Sequence, residues 1–247
     1  MPPGARRFER TIPVHVLERE ADLTRTQREG LGKIETLTLL GIAQETTTRI
    51  PATPETDRRI DAVLFVRASL GNTRALESTA TVVHACFPHP SVLILENARG
   101  DVCLSAALTS RRKRATGFAV NAMEADSDIG SWRRTEQGKA FLSSLAFETL
   151  DQRSLAHLTQ DIMARIRLAR VARLVGFYPD PGLCRTPDVV AVIERLLECQ
   201  GRQDRLRARW KAHGTTQRER LELRIPLSEA IDQTKAAVDE LTRRCGR

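Results

Sequence analysis

Aromatic side chains are scarce here, at 4% of 247 residues with a single tyrosine and two tryptophans. Aliphatic residues must therefore supply most of the core, and a surface that binds nucleic acid by base stacking has little to build on. Lysines number only five, at 33, 113, 139, 211 and 235, and none follows an acid at the spacing of an acid-x-Lys nuclease strand. The five cysteines, 86, 103, 184, 199 and 245, form no Cys-x-x-Cys, so a disulfide framework is excluded and reduced thiols in a cytoplasmic protein are expected. No apolar run approaches the roughly 18 residues that span a bilayer, and "MPPGARRFER" lacks the apolar core of a secretory signal. There is no Walker-type glycine loop, no dinucleotide fingerprint and no nucleophile elbow around Ser105 or Ser110. These gaps leave no cofactor to expect and no membrane role.

What the chain has in excess is positive charge, and it is unevenly placed. The net charge is +8. Residues 1–152 hold 20 Lys+Arg against 19 Asp+Glu, residues 153–224 hold 15 against 8, and residues 225–247 hold 4 against 4. A basic surface in the second half favours a polyanion or an acidic partner.

The periodicity predicts a small α+β domain over residues 1–150, with a mostly antiparallel sheet carrying helices on one face, and a basic helical arm over 151–247. "FERTIPVHVLERE" reads as an extended arm. Leu31, Ile34, Leu37 and Leu40 recur at helical spacing, and "RIDAVLFVRASL" reads as a strand. Asn72 is positioned to cap a helix through "TRALESTATVVHACF". "SVLILENARGDVCLSAAL" is a hairpin with Gly100 in its turn, and "ATGFAVNAM" adds a further strand. The arm begins with a helix carrying Leu155, Leu158 and Ile162, then Arg167, Arg170 and Arg173 at three-residue steps. A second helix starts at Thr186-Pro187, with Gly201 as a possible break. "ERLELRIPL" alternates like a strand, and Ser228 is placed to cap a final helix.

One stretch looks chemical: "TVVHACFPHPSVLIL" sets His84, Cys86 and His89 within six positions. Zinc needs about four converging ligands, and residues 84 and 86 stand about 200° apart on a helix. A helix end stiffened by Pro88 and Pro90 explains the stretch better, and no metal is expected. Asp61 and Glu96 are the acids on which a divergent metal-dependent nuclease would rest. The candidate nucleic-acid-binding residues are Arg111, Arg112, Lys113 and Arg114 in "RRKR", Arg133 and Arg134 in "SWRRT", and Arg167, Arg170 and Arg173. No catalytic residue is assigned.

The order of several segments resembles the bacterial domain-of-unknown-function family four-three-nine-one. They are Phe8 with "IP" at 12–13, "PATPETDRRIDAVLFVRASL", "FPHPSVLIL", Trp132 in "GSWRRT", and "RERLELRIPLSEAIDQTKAAVDEL". Arg59 stands where an acid usually precedes the strand isoleucine, and Pro226 with Ser228 replaces the asparagine cap before the last helix. The resemblance implies an accessory protein encoded beside superfamily-two helicases and DNA methyltransferases, in restriction-modification or anti-phage loci. The function expected is therefore a cytoplasmic, non-enzymatic adaptor docking on such a partner. The alternatives are a direct nucleic-acid-binding subunit acting through the arm and the nuclease.

Overall fold

The computed structural model describes residues 6–20, 23–53, 60–71, 75–111 and 118–246. The chain divides into two compact units, Met1–Ala169 and Arg170–Arg247. The boundary expected near residue 150 precedes a helix, whereas the division falls within that helix.

The first unit is built on six strands in chain order: β1 (Arg6–Thr11), β2 (Ile34–Gln44), β3 (Ala62–Leu70), β4 (Ser91–Asn97), β5 (Val102–Arg111) and β6 (Phe118–Asp126). Neighbours pair antiparallel except β3 and β4, which run parallel. A parallel pair needs a crossover, and the helix at Leu76–His84 supplies it. The helices, in chain order, are α1 (Val14–Glu20), α2 (Arg25–Leu31), α3 (Glu45–Thr48), α4 (Leu76–His84), α5 (Ile129–Trp132), α6 (Glu136–Ser144), α7 (Leu155–Val175), α8 (Pro187–Lys211) and α9 (Gln217–Cys245). The α+β class and the mostly antiparallel sheet are as expected.

Alternation along the strands sends Leu64, Val66, Ala68 and Leu70 of β3 and Leu93 and Leu95 of β4 to one face. They close a core with Leu17 of α1, Leu31 of α2 and Leu76, Ala80 and Val83 of α4. The Asn97–Asp101 turn joins β4 to β5. Gly100 takes φ +80° there, and Asn97 Oδ1 accepts from the amides of Arg99 and Asp101 at 3.0 Å.

Toward the other sheet face lie Phe65, Val92, Ile94 and Leu104, which with Leu158 and Ile162 of α7 line an apolar cleft of about 170 Å³. The first turn of α7 is fastened by Leu155 N donating to Pro51 O (3.0 Å) and Ala156 N donating to Thr53 Oγ1 (3.2 Å). Arg165, 3% exposed, pairs with the buried Asp161 and donates to the carbonyls of Ser144 and Thr149. It thereby holds the 144–150 segment, whose Leu145, Phe147 and Leu150 complete the cleft.

The second unit is a helical hairpin. Thr186 precedes Pro187 at the first turn of α8, which runs through Gly201 unbroken. α9 starts with a capping box in which Thr216 Oγ1 accepts from Glu219 N (3.2 Å) and Glu219 Oε2 accepts from Thr216 N (2.7 Å). Val189, Val192, Ile193 and Leu196 of α8 and Ala237 and Leu241 of α9 are buried. The Arg195–Glu240 ion pair and the Arg202–Gln233 hydrogen bond fix the two helices antiparallel.

Three expectations are corrected. Residues 8–20 form β1 and α1 instead of an extended arm. Ile34, Leu37 and Leu40 lie in β2, not in a helix, which ends at Leu31. Bulges between Ile34 and Thr36 and between Leu39 and Gly41 insert residues into the strand, so the buried Ile34 and Leu37 come three apart and mimic a helical repeat. "ERLELRIPL" is helical throughout, inside α9, and Ser228 caps nothing. Its alternation arises because Leu223 is buried while Leu221 and Ile225 point outward. Asn72, expected as a cap, lies outside the described residues.

Candidate interaction surface

The stretch that looked chemical is a core element. His84 ends α4 with 0% exposure, and both ring nitrogens meet serine hydroxyls: Nδ1 to Ser91 Oγ at 2.6 Å and Nε2 to Ser105 Oγ at 2.9 Å. Ser105 Oγ also donates to Glu124 O at 3.0 Å, so it accepts from His84 Nε2–H, and Ser91 donates to Nδ1. The tautomer is thus assigned from the network. Every polar atom of the ring is satisfied, and burial pulls the imidazole pKa from 6.5 down to about 3, keeping it neutral.

The neighbours go elsewhere. Cys86 is buried with Sγ on Val82 O (3.3 Å), and burial raises its thiol to about 12. His89 Nδ1 lies 3.2 Å from Asp61 Oδ1. Glu96, the other acid of a nuclease reading, is held by Arg67 at 2.8 Å. Among the described residues no three His, Cys, Asp or Glu side chains form a group able to hold a metal ion.

The sequence-selected cations are scattered. The side chains of Arg111, Arg112, Lys113 and Arg114 lie outside the described residues. Arg133 and Arg134 are exposed in the turn between α5 and α6. That turn is anchored by Trp132, buried against Phe141 with ring centroids 5.8 Å apart. Arg167, in the first unit, is engaged with the sheet: Nη2 is 2.6 Å and Nε 2.8 Å from Glu124 Oε1 on β6. Arg170 and Arg173 are exposed on the part of α7 that belongs to the second unit.

A further concentration of positive charge lies outside every motif. Residues 202–224, the apex of the α8–α9 hairpin, hold eight Lys+Arg against three Asp+Glu, a net of +5. All eight cations are exposed. Among the described residues, Arg205, Arg209, Lys211, Arg220 and Arg224 have no carboxylate in ion-pair contact. Cut level with the Arg202–Gln233 contact, the joined end (202–233) holds eight bases against five acids and the other end (186–201 and 234–246) four against five. The hairpin is therefore electrically polarised along its length, from +3 to −1. The change of sign falls within the stretch 153–224, whose basic excess is gathered toward its C-terminal third.

Among the described residues no helix is long and apolar enough to cross a membrane. No curated protein and no solved structure matches the chain. The model of one family, described as "Domain of unknown function (DUF4391)", matches residues 2–233. That span takes in the whole sheet, α7, α8 and the first half of α9, and the protein is a member of the DUF4391 family.

Proposed function

We propose that this protein is a cytoplasmic, non-enzymatic accessory subunit of a bacterial DNA-defence system, docking through its second unit on a helicase or DNA methyltransferase of the same system. The observation that carries the reading is the α8–α9 hairpin, whose exposed cations are concentrated at one end. Such a segregated charge steers encounter with a complementary surface and fixes the orientation of docking. In the first unit the most reactive-looking groups, His84, Cys86 and Cys103, are buried, which holds the imidazole neutral and the thiols protonated. The family resemblance supplies the kind of partner. The test is affinity purification of the tagged protein from its native host with identification of what accompanies it. Stoichiometric recovery of a helicase or methyltransferase is expected. Metal-dependent DNA cleavage by the purified protein alone overturns the reading.

A second reading, direct binding of nucleic acid, is favoured by the same eight exposed cations at the apex. Each phosphate neutralised on duplex DNA adds about 0.9 to the slope of log affinity against log salt. Replacing Arg205, Arg209 and Arg220 by Gln should then lower that slope by about 2–3. An unchanged slope removes the second reading and leaves the first in place.

A further inference from the structure

The outward face of α9 carries a pattern that its own hairpin leaves unused. With about 100° per residue and Leu221 as origin, the buried Leu223, Ala230, Thr234, Ala237 and Leu241 fall between about 160° and 220°. Residues 218, 221, 225, 228, 232, 235 and 239 fall within about 60° of the origin, on the opposite side. All seven are exposed, with Leu221 at 62% and Ile225 at 69%. Their spacing alternates three and four, the seam of a helix pair. Pro226 stands about 140° away and leaves the seam uninterrupted.

Charge along this seam is segregated. Arg218 and the flanking Arg224 occupy its first half; Asp232 and Asp239 occupy its second, with Lys235 between them. Among the described residues, the side chains of Arg224, Asp232, Lys235 and Asp239 form no ion pair. A polyanion laid along the face would meet the aspartates, and a parallel copy would set arginine on arginine. An antiparallel copy fits. Centred on Ser228, it places Arg224 opposite Asp232 of the second copy and Ile225 level with Ile231, and it brings Arg218 level with Val238, one residue from Asp239. Leu221 then lies under the methylene stem of Lys235, whose ammonium reaches past it to water. A two-fold axis makes each contact occur twice, and Ser228, the smallest seam residue, sits on the axis.

We infer that this face is the isologous interface of a homodimer, α9 packed antiparallel on α9 of a second copy. The inference goes beyond the adaptor reading and stands without it. Sedimentation velocity of the full-length chain over a micromolar concentration range tests it. The wild type dimerises. Arg224→Asp sets four aspartates in two facing pairs, and Asp232→Arg sets four arginines; each alone weakens dimerisation by at least about tenfold. Mixing the two variants restores a dimer, because every facing pair is again of opposite sign. All substituted side chains are exposed, so circular dichroism and melting of each variant match the wild type, which separates a broken interface from a broken fold. A wild type that stays monomeric, or single variants that dimerise as well as the wild type, overturns the inference.

Discussion

Lowering the pH from 7 to 5 should cost the folded protein about 2 kcal/mol through His84 alone. In the unfolded chain the imidazole titrates near 6.5; in the core, burial holds it at about 3. Between those values the unfolded state binds a proton that the native state refuses. The stability His84 contributes is therefore whole above pH 6.5 and is lost progressively as the pH falls toward 3. The full gap corresponds to a ceiling of about 5 kcal/mol, approached only near the lower value. At pH 5 the group lies about 1.5 pH units into the window, which gives the 2 kcal/mol. The structural reason is the absence of room for a second ring proton. Nδ1 accepts the Ser91 hydroxyl at 2.6 Å, and both serines have 0% exposure.

The assay is urea denaturation at intervals from pH 7 to pH 5, for the wild type and for a His84→Leu, Ser91→Ala double variant. Removing Ser91 together with the ring avoids stranding a buried hydroxyl, which by itself costs about 1–3 kcal/mol. The wild-type stability should fall more steeply than the variant's by about 1.4 kcal/mol per pH unit below 6. Parallel curves refute the reasoning, because they mean that His84 protonates in the native state and that water reaches the site.

Gly138→Ala should destabilise by roughly 1–3 kcal/mol in thermal melts, since its new Cβ meets Trp132 O at 2.3 Å and Arg133 Cα at 2.7 Å, both backbone atoms unable to yield. Arg165→Met should cost about 3–5 kcal/mol in urea denaturation, because it removes the buried counter-ion of Asp161 and a donor to two carbonyls; adding Asp161→Leu should recover part of the loss. Arg167→Gln should lower stability by no more than about 1 kcal/mol, given its 37% exposed side chain, and a double-mutant cycle with Glu124→Gln should show the coupling. A change in the salt dependence of DNA binding on Arg167→Gln, with no coupling to Glu124, contradicts that assignment.

The fold was legible where apolar runs of strand length stand between turn residues. β3, β4 and β5 are such runs, buried on both faces over part of their length, the Asn97–Asp101 turn announces itself by Gly100, and α7 and α8 appear at their expected places. β2 was hidden by its bulges, since an inserted residue turns a two-residue repeat into a three-residue one. α9 was hidden by having two apolar faces. Leu221, Leu223, Ile225 and Leu227 alternate like a strand because Leu223 serves the hairpin while Leu221 and Ile225 serve the outside. A helix with apolar residues on opposite sides imitates a strand over any short window, and here the misreading and the unpartnered face have one cause.

The candidate surface was less legible because sign and spacing do not determine solvation. Arg167, Arg170 and Arg173 share a stripe in the sequence, yet Arg167 is claimed by Glu124, 43 positions away on the sheet, a pairing no local rule reveals. The apex of the hairpin offers the opposite case. Its cations are spread over two helices and a turn and form no motif, but antiparallel folding brings residues 202–224 to the joined end, with 224–233 running beside 202–211. The same folding places Asp188, Glu194, Glu198, Asp239 and Glu240 toward the other end. Polarity of this kind is a property of the hairpin register, set by the Arg195–Glu240 and Arg202–Gln233 contacts, and not of either helix alone. It follows that lowering the charge at the apex by two while leaving composition unchanged, by exchanging Arg205 with Glu198 for example, weakens what the hairpin attracts without altering the net charge of the chain.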